Sequence, residues 1–151
     1  RSEPEMKVKC AIVTDLDVRP DTEDKAQKER EKKESVEHNL GMPLPTNVKL
    51  NLAKEWTLEW CLFKSPILSD LFKDSVAEVH SRTEEFKKDA VTHQYTESFE
   101  AKLKAKLIDR SLEKTDIALV LSEKIITNDL NFAQQDEYIK YLLDAIRFVV
   151  L

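Results

Sequence analysis

The hydrophobic and polar positions of this 151-residue chain change period several times, and each change marks an element. From Lys7 to Asp17, KVKCAIVTDLD, the apolar residues Val8, Cys10, Ala11, Ile12 and Val13 form a short, nearly unbroken run. A run of that length, rich in β-branched residues, predicts a strand covered on both faces, as in the parallel sheet of an α/β domain. Asn47 to Leu52, NVKLNL, alternates instead, and predicts a second short strand with Val48, Leu50 and Leu52 inward. Helical spacing then takes over. A helix beginning near Thr57 carries Trp56, Trp60, Leu62 and Phe63 as packing mass. Another spans Ile67 to Val79, with Leu68, Leu71, Phe72, Val76 and Val79 on one face. Phe99, Leu103 and Leu107 mark a helix from Thr96 to about Arg110, and Ile117, Leu121 and Ile125 mark one within Ser111 to Ile126. The last helix, Glu137 to Val150, is amphipathic through Ile139, Leu142, Leu143, Ile146 and Val149.

One stretch lacks an apolar face. Asp21 to Gly41 has helix signals, with Asp21 or Thr22 to cap it, acidic residues in its first turn and Gly41 to close it. Apart from Ala26 and Val36 it is polar, so it predicts a solvated helix or a mobile loop over the end of the first strand. Met42 to Thr46, with Pro43 and Pro45, reads as an extended connection. The expected architecture is a single α/β domain over 1–151, with helical insertions at about 21–41 and 66–110 and a helical C-terminus.

Composition narrows the chemistry. Hydrophobic residues are 41% and charged residues 35%, with 24 basic and 29 acidic side chains for a formal charge of −5. That balance does not advertise nucleic-acid binding, though a metal site or a small basic patch supplies local positive charge that an average hides. Gly41 is the only glycine, which excludes every Gly-rich phosphate loop, the nucleotide P-loop and the dinucleotide fingerprint alike. Cys10 and Cys61 read as buried thiols of a reducing compartment, with no zinc spacing. No apolar run approaches the roughly 20 residues of a membrane span, and the leader RSEPEMK, polar and expected to fray, is not a signal peptide. The expected location is the cytoplasm.

Asp15 and Asp17 follow the first strand one residue apart. If the extended backbone persists, both project the same way at the C-terminal edge of the sheet, where open α/β sheets bind ligands. Two adjacent carboxylates in a partly buried place call for a cation, and oxygen-only ligands favour Mg²⁺ or Mn²⁺ over zinc. The bland reading of Asp-x-Asp is a turn with solvated side chains. Glu59 stands in the first turns of a helix that follows the second strand, at the same topological edge; its bland reading is a helix-dipole residue. Lys114 stands at the head of a late helix, where a cation is locally unfavourable and another interaction is needed to hold it. His80 and His93 lack a ligand pattern and read as surface residues, and Lys102, Lys104 and Lys106 as a solvated basic face.

The ordered set IVTDLD (12–17), NVKLNLAKEWTLEWCL (47–62) and KTDIALVLSEKI (114–125), closed by the amphipathic helix, resembles the Toprim region of the OLD (overcoming lysogenisation defect) family of nucleases. The resemblance implies a partial Toprim-like, Rossmann-like parallel sheet with a largely helical insertion. It also implies a divalent-metal-dependent DNA endonuclease. Asp15 and Asp17 would be metal ligands with catalytic roles, Glu59 a further acidic ligand and Thr57 a residue beside it. Lys114 would be the lysine that stabilises charge at the scissile phosphate. DNA, an ABC-type ATPase domain in the same or another chain, and a second copy of the chain are the implied partners. One departure stands out: the family glutamate of a strand before the Asp-x-Asp has no counterpart, since Glu3 and Glu5 lie in a polar leader. The resemblance therefore implies an N-terminally truncated domain, without its first strand and its ATPase, and inactive as a fragment. Two other readings stay open. One is a non-catalytic helical interaction module; the other is a phosphotransfer domain with Asp15 as nucleophile, against which Val18-Arg19-Pro20 replaces the usual small polar turn.

Overall fold

The computed structural model describes residues 8–130, 132 and 135–151; Glu3, Glu5 and the rest of the leader fall outside the described residues. The protein is α/β, with a two-stranded parallel sheet and seven helices among those residues. In chain order the elements are β1 (Cys10–Thr14), α1 (Lys25–Asn39), β2 (Val48–Leu52), α2 (Leu58–Lys64), α3 (Ser69–Val79), α4 (Lys87–Thr92), α5 (Glu97–Asp109), α6 (Lys114–Thr127) and α7 (Lys140–Val150). No described helix is long and apolar enough to cross a membrane.

The chain divides into two compact units. The described residues of Arg1–Ser65 and Gln134–Leu151 make the first, and those of Pro66–Ala133 the second. The second unit thus runs beyond the 66–110 insertion expected from sequence and takes in α6.

In the first unit β1 and β2 pair in parallel, Cys10 opposite Val48, Ile12 opposite Leu50 and Thr14 opposite Leu52. Helix α7 packs on both strands, and Lys9 and Lys49 each lie over the Phe148 ring, so Lys9, Ala11, Val13, Lys49 and Asn51 share the face beneath α7. The opposite face, with Val48, Leu50 and Leu52, lines an open groove of about 470 Å³ with Lys33 and Glu37 of α1 and with Met42, Pro43 and Leu44. These three β2 residues are accordingly only half-buried, and Asn51 is the strand's buried side chain. Helix α1 buries no residue, as its polar sequence predicted, and starts after Asp24 rather than after Asp21 or Thr22.

The strongest departure from the sequence reading is β1. Val13 is 46% exposed, Val8, before the strand, 63%, and Cys10 is exposed as well. A continuous apolar run predicted cover on both faces, but two strands and one helix do not have the area to supply it. Only Cys61 of the two thiols is buried; it packs with Ala53 and Tyr141 in the core of this unit. The narrow sheet also explains α7. It covers the stripe of Tyr141 and Ala145 and leaves Ile146 and Val149, expected on the packed face, exposed.

The second unit is helical and better filled. Phe72 and Val76 of α3, Phe99 and Leu103 of α5, Ile117 and Leu121 of α6, and Phe86 are all buried. Phe86 meets Phe99 edge-on at 5.4 Å between ring centroids. His80, read from sequence as a surface residue, is 5% exposed, with its ring 5.6 Å from that of Phe86. It sits one residue past the end of α3, where the i, i+4 step from Val76 carries the buried stripe on. Lys102 is not solvated either: it pairs with the buried Asp89 at 2.5 Å, while Lys106 pairs with Glu85 at 3.4 Å.

Candidate functional site

The candidate site lies where β1 and β2 end. The Thr14 carbonyl accepts from the Ala53 N–H at 3.0 Å, so the parallel ladder runs to the last residue before Asp15. β2 then leads into α2, capped by Thr57, whose side-chain oxygen accepts from the Trp60 N–H at 3.3 Å. At that same helix start the Leu58 N–H donates to Asp15 Oδ1 at 3.0 Å. The carboxylate after the first strand is thereby tied to the first turn of the helix after the second. Glu59 is the next residue, in the favourable field of the α2 N-terminus.

Asp17 goes elsewhere. Its φ of 56° is left-handed, and its N–H donates to the Trp56 carbonyl at 2.8 Å, so the chain turns instead of continuing as a strand. Its side chain, 62% exposed, pairs with Lys32 of α1 at 3.3 Å. The shared direction of Asp15 and Asp17 expected from extended geometry is lost at this one dihedral. Among the described residues no group of three His, Cys, Asp or Glu side chains stands close enough to hold a metal ion, so Asp15, Asp17 and Glu59 are not gathered into a ligand set.

Two residues that sequence reasoning did not single out complete the neighbourhood. Burial first, and then the Cys61 thiol, Asp15 and Glu59, hold the Tyr141 hydroxyl above its ordinary range. Burial likewise raises the Cys61 thiol, whose Sγ donates to the Glu55 carbonyl at 3.4 Å. Asp15, Glu59, Cys61 and Tyr141 therefore share one partly buried region rich in acidic groups. The available signal for Tyr141 was a hydroxyl on the buried side of an otherwise apolar helix.

Lys114 is the first residue of α6 in the second unit, exposed, with its N–H donating to the Leu112 carbonyl at 2.8 Å. A different polar cluster occurs in that unit. Asp74 of α3 accepts from the Tyr95 hydroxyl, lies 2.7 Å from His93 Nδ1 and pairs with Lys124 of α6 at 3.3 Å. Its burial works against ionisation, but those hydrogen bonds prevail and hold its carboxyl below the usual range. The cluster ties α3 to α6 and to the segment after α4. Comparison of the chain with family models, with curated proteins and with solved structures gives no match.

Proposed function

We propose that the chain is the nuclease region of an OLD-type Toprim protein, a divalent-metal-dependent DNA endonuclease that works with an ABC-type ATPase domain. One observation carries this reading: the Leu58 N–H to Asp15 hydrogen bond, which brings a carboxylate at the end of β1 next to Glu59 at the head of α2, at the carboxyl edge of a parallel sheet. Mg²⁺ keeps several waters and takes one or two protein carboxylates together with substrate phosphate oxygens, and Asp15 with Glu59 fits that mode without a third ligand. In this assignment Asp15 and Glu59 would hold Mg²⁺ or Mn²⁺. Thr57 fixes the helix turn that carries Glu59, and Asp17 would join only after its left-handed turn opens and its pair with Lys32 breaks. The bound ion would supply an activated water and charge neutralisation for phosphodiester hydrolysis. The protein's own contribution is to hold the two carboxylates apart from bulk water beside the buried Tyr141 and Cys61.

A second reading has its own support. The pairing of Asp17 with Lys32, and a chain in which helices greatly outnumber strands, fit a non-catalytic helical interaction module.

Mn²⁺ titration followed by amide NMR separates the two. The nuclease reading expects paramagnetic broadening of this chain centred on Asp15, Leu58 and Glu59, removed by Asp15→Asn, and, once the region is joined to its missing strand and ATPase domain, Mg²⁺-dependent nicking of plasmid DNA that Asp15→Ala and Asp17→Ala abolish. No broadening at millimolar Mn²⁺, or nicking undiminished in both variants, overturns it.

A further inference from the structure

The second unit carries a polar cluster for which the metal chemistry of the first has no use. Asp70, Lys73 and Asp74 share one face of α3 and, with Leu71, His93 and Tyr95, line an open pocket of about 450 Å³. The Asp74 carboxylate is held from three points in the chain. The Tyr95 hydroxyl donates to it, the Lys124 ammonium of α6 lies 3.3 Å from its Oδ2, and His93 Nδ1 lies 2.7 Å from its Oδ1. Burial opposes its ionisation, but these hydrogen bonds prevail and keep it below the usual carboxylate range. Tyr95 remains a donor, because burial first and then Asp74 raise its hydroxyl above the ordinary range. Its ring stays in place against the buried Phe99, edge-on at 5.2 Å between centroids. An ionised carboxylate only accepts, so His93 Nδ1 carries the proton and donates it to Asp74. In the neutral ring the lone pair is therefore on Nε2. His93 is the C-cap of α4, and its side chain is 67% exposed, so this lone pair belongs to an accessible ring whose tautomer is fixed from behind.

We infer that His93 Nε2 is a nucleophile that accepts a phosphoryl group from a small activated donor, a phosphoramidate or an acyl phosphate. An imidazole that attacks phosphorus becomes cationic, and here the charge develops against a carboxylate already in position. With phosphoramidate, the Nε2 lone pair forms the new N–P bond while the P–N bond of the donor breaks, and that electron pair leaves on ammonia. The donor reacts as its zwitterion, so ammonia departs neutral and takes no proton from the protein. The product ring bears the phosphoryl group on Nε2 and keeps its proton on Nδ1 against Asp74, and total charge is the same before and after the step. Lys73, in the wall of the same pocket, is the cation that meets the phosphoryl oxygens. Its pair with Asp70, at 3.3 Å, involves a carboxylate that is almost fully exposed, and such pairs hold weakly. Asp74 is a positioning residue: it sets the tautomer and offsets the ring charge without touching the donor. The step needs neither metal nor DNA, so it stands apart from the nuclease reading.

The other two histidines supply the controls. His38 is exposed in the last turn of α1, and His80 is buried. The whole chain is incubated with phosphoramidate at neutral pH, and phosphorylated sites are located by mass spectrometry in alkali, where phosphohistidine survives. His93 is expected to react about tenfold faster than His38, the gain from one hydrogen bond that becomes charge-assisted as the ring turns cationic. His80 is expected to stay unmodified, and in concentrated urea all three are expected to react alike. Ring ¹⁵N and ³¹P spectra are expected to place the group on Nε2. Asp74→Asn is expected to bring His93 down to the rate of His38 and to give ¹⁵N shifts of a mixed tautomer, with an unchanged circular dichroism spectrum. The comparison within the parent chain requires no variant and decides by itself: equal rates at His93 and His38 in the folded protein overturn the inference. A phosphoryl group on Nδ1 overturns it too, as does a folded Asp74→Asn chain in which His93 reacts as fast as before.

Discussion

His80 offers the most direct check on the packing of the second unit. Its ring is buried against Phe86, and its Nε2 has no hydrogen-bond partner among the described residues. Burial, and after it the positive charge of Lys106, depress its pKa from 6.5, with Glu113 and Glu85 opposing the shift. The folded state thus holds a neutral imidazole, and the unfolded chain takes up a proton first as the pH falls. Stability from this group is complete above the unfolded value of 6.5 and is lost progressively below it, until the folded value is reached and the ring protonates in place. One proton is involved, so the slope cannot exceed about 1.4 kcal/mol per pH unit in that window. Against a typical total of about 5–15 kcal/mol, one pH unit removes a measurable share. The assay is urea denaturation at several values between pH 7.5 and the folded pKa, with hydrogen exchange at Phe72, Val76 and Phe86 to locate the effect. His80→Phe keeps a ring in the cluster and removes the titration, so its stability is expected to vary less with pH over that range. Parallel pH profiles for the wild type and His80→Phe would refute the reasoning.

Other outcomes follow from single contacts. Asp15→Ala removes the acceptor of the Leu58 N–H and is expected to cost about 1–2 kcal/mol, read by fluorescence of the nearby Trp56 and Trp60 during urea unfolding. Thr57→Ala deletes the α2 cap and is expected to cost about 1 kcal/mol in the same melt. Lys102→Ala leaves the Asp89 carboxylate buried without its partner, at a cost of about 3 kcal/mol, whereas the joint replacement Lys102→Met with Asp89→Leu recovers most of it; thermal melts of the two variants check this. Asp17→Val puts a β-branched residue at a left-handed φ and is expected to lose about 1–2 kcal/mol, while Asp17→Gly stays near neutral.

How much of this could be read from sequence depends on the range of the interaction. Both strands and the helices that periodicity predicted appeared near their expected positions, because their signals lie within a few residues, whereas α4, in a charged stretch without an apolar stripe, was not foreseen. The Thr57 cap and the surface helix α1 were legible for the same reason. Exposure of β1 was not, since it depends on how many strands stand beside it, and an apolar run looks the same whether or not it is covered. The Asp15–Leu58 bond spans 43 residues and was anticipated only as a shared sheet edge. Asp17 departed from that edge through one left-handed dihedral, which Asp tolerates and which no periodicity reports. Tyr141 entered the site through α7, whose apolar positions gave no reason to look for polar chemistry.

The first unit is discontinuous in sequence, and this imposes an order on assembly. Its Ser65 side chain bonds Asp136 and its Lys54 pairs with Glu137, closures that span 71 and 83 residues. Helix α7, which covers the sheet, leaves the ribosome after every other described element. The second unit is a single uninterrupted segment rich in local helical contacts and can condense while synthesis continues. Until α7 arrives, β1 and β2 have no cover on its side of the sheet. The nascent chain therefore passes through a period in which its most aggregation-prone strand is its least protected, and a chaperone that holds the N-terminal segment would act in that interval.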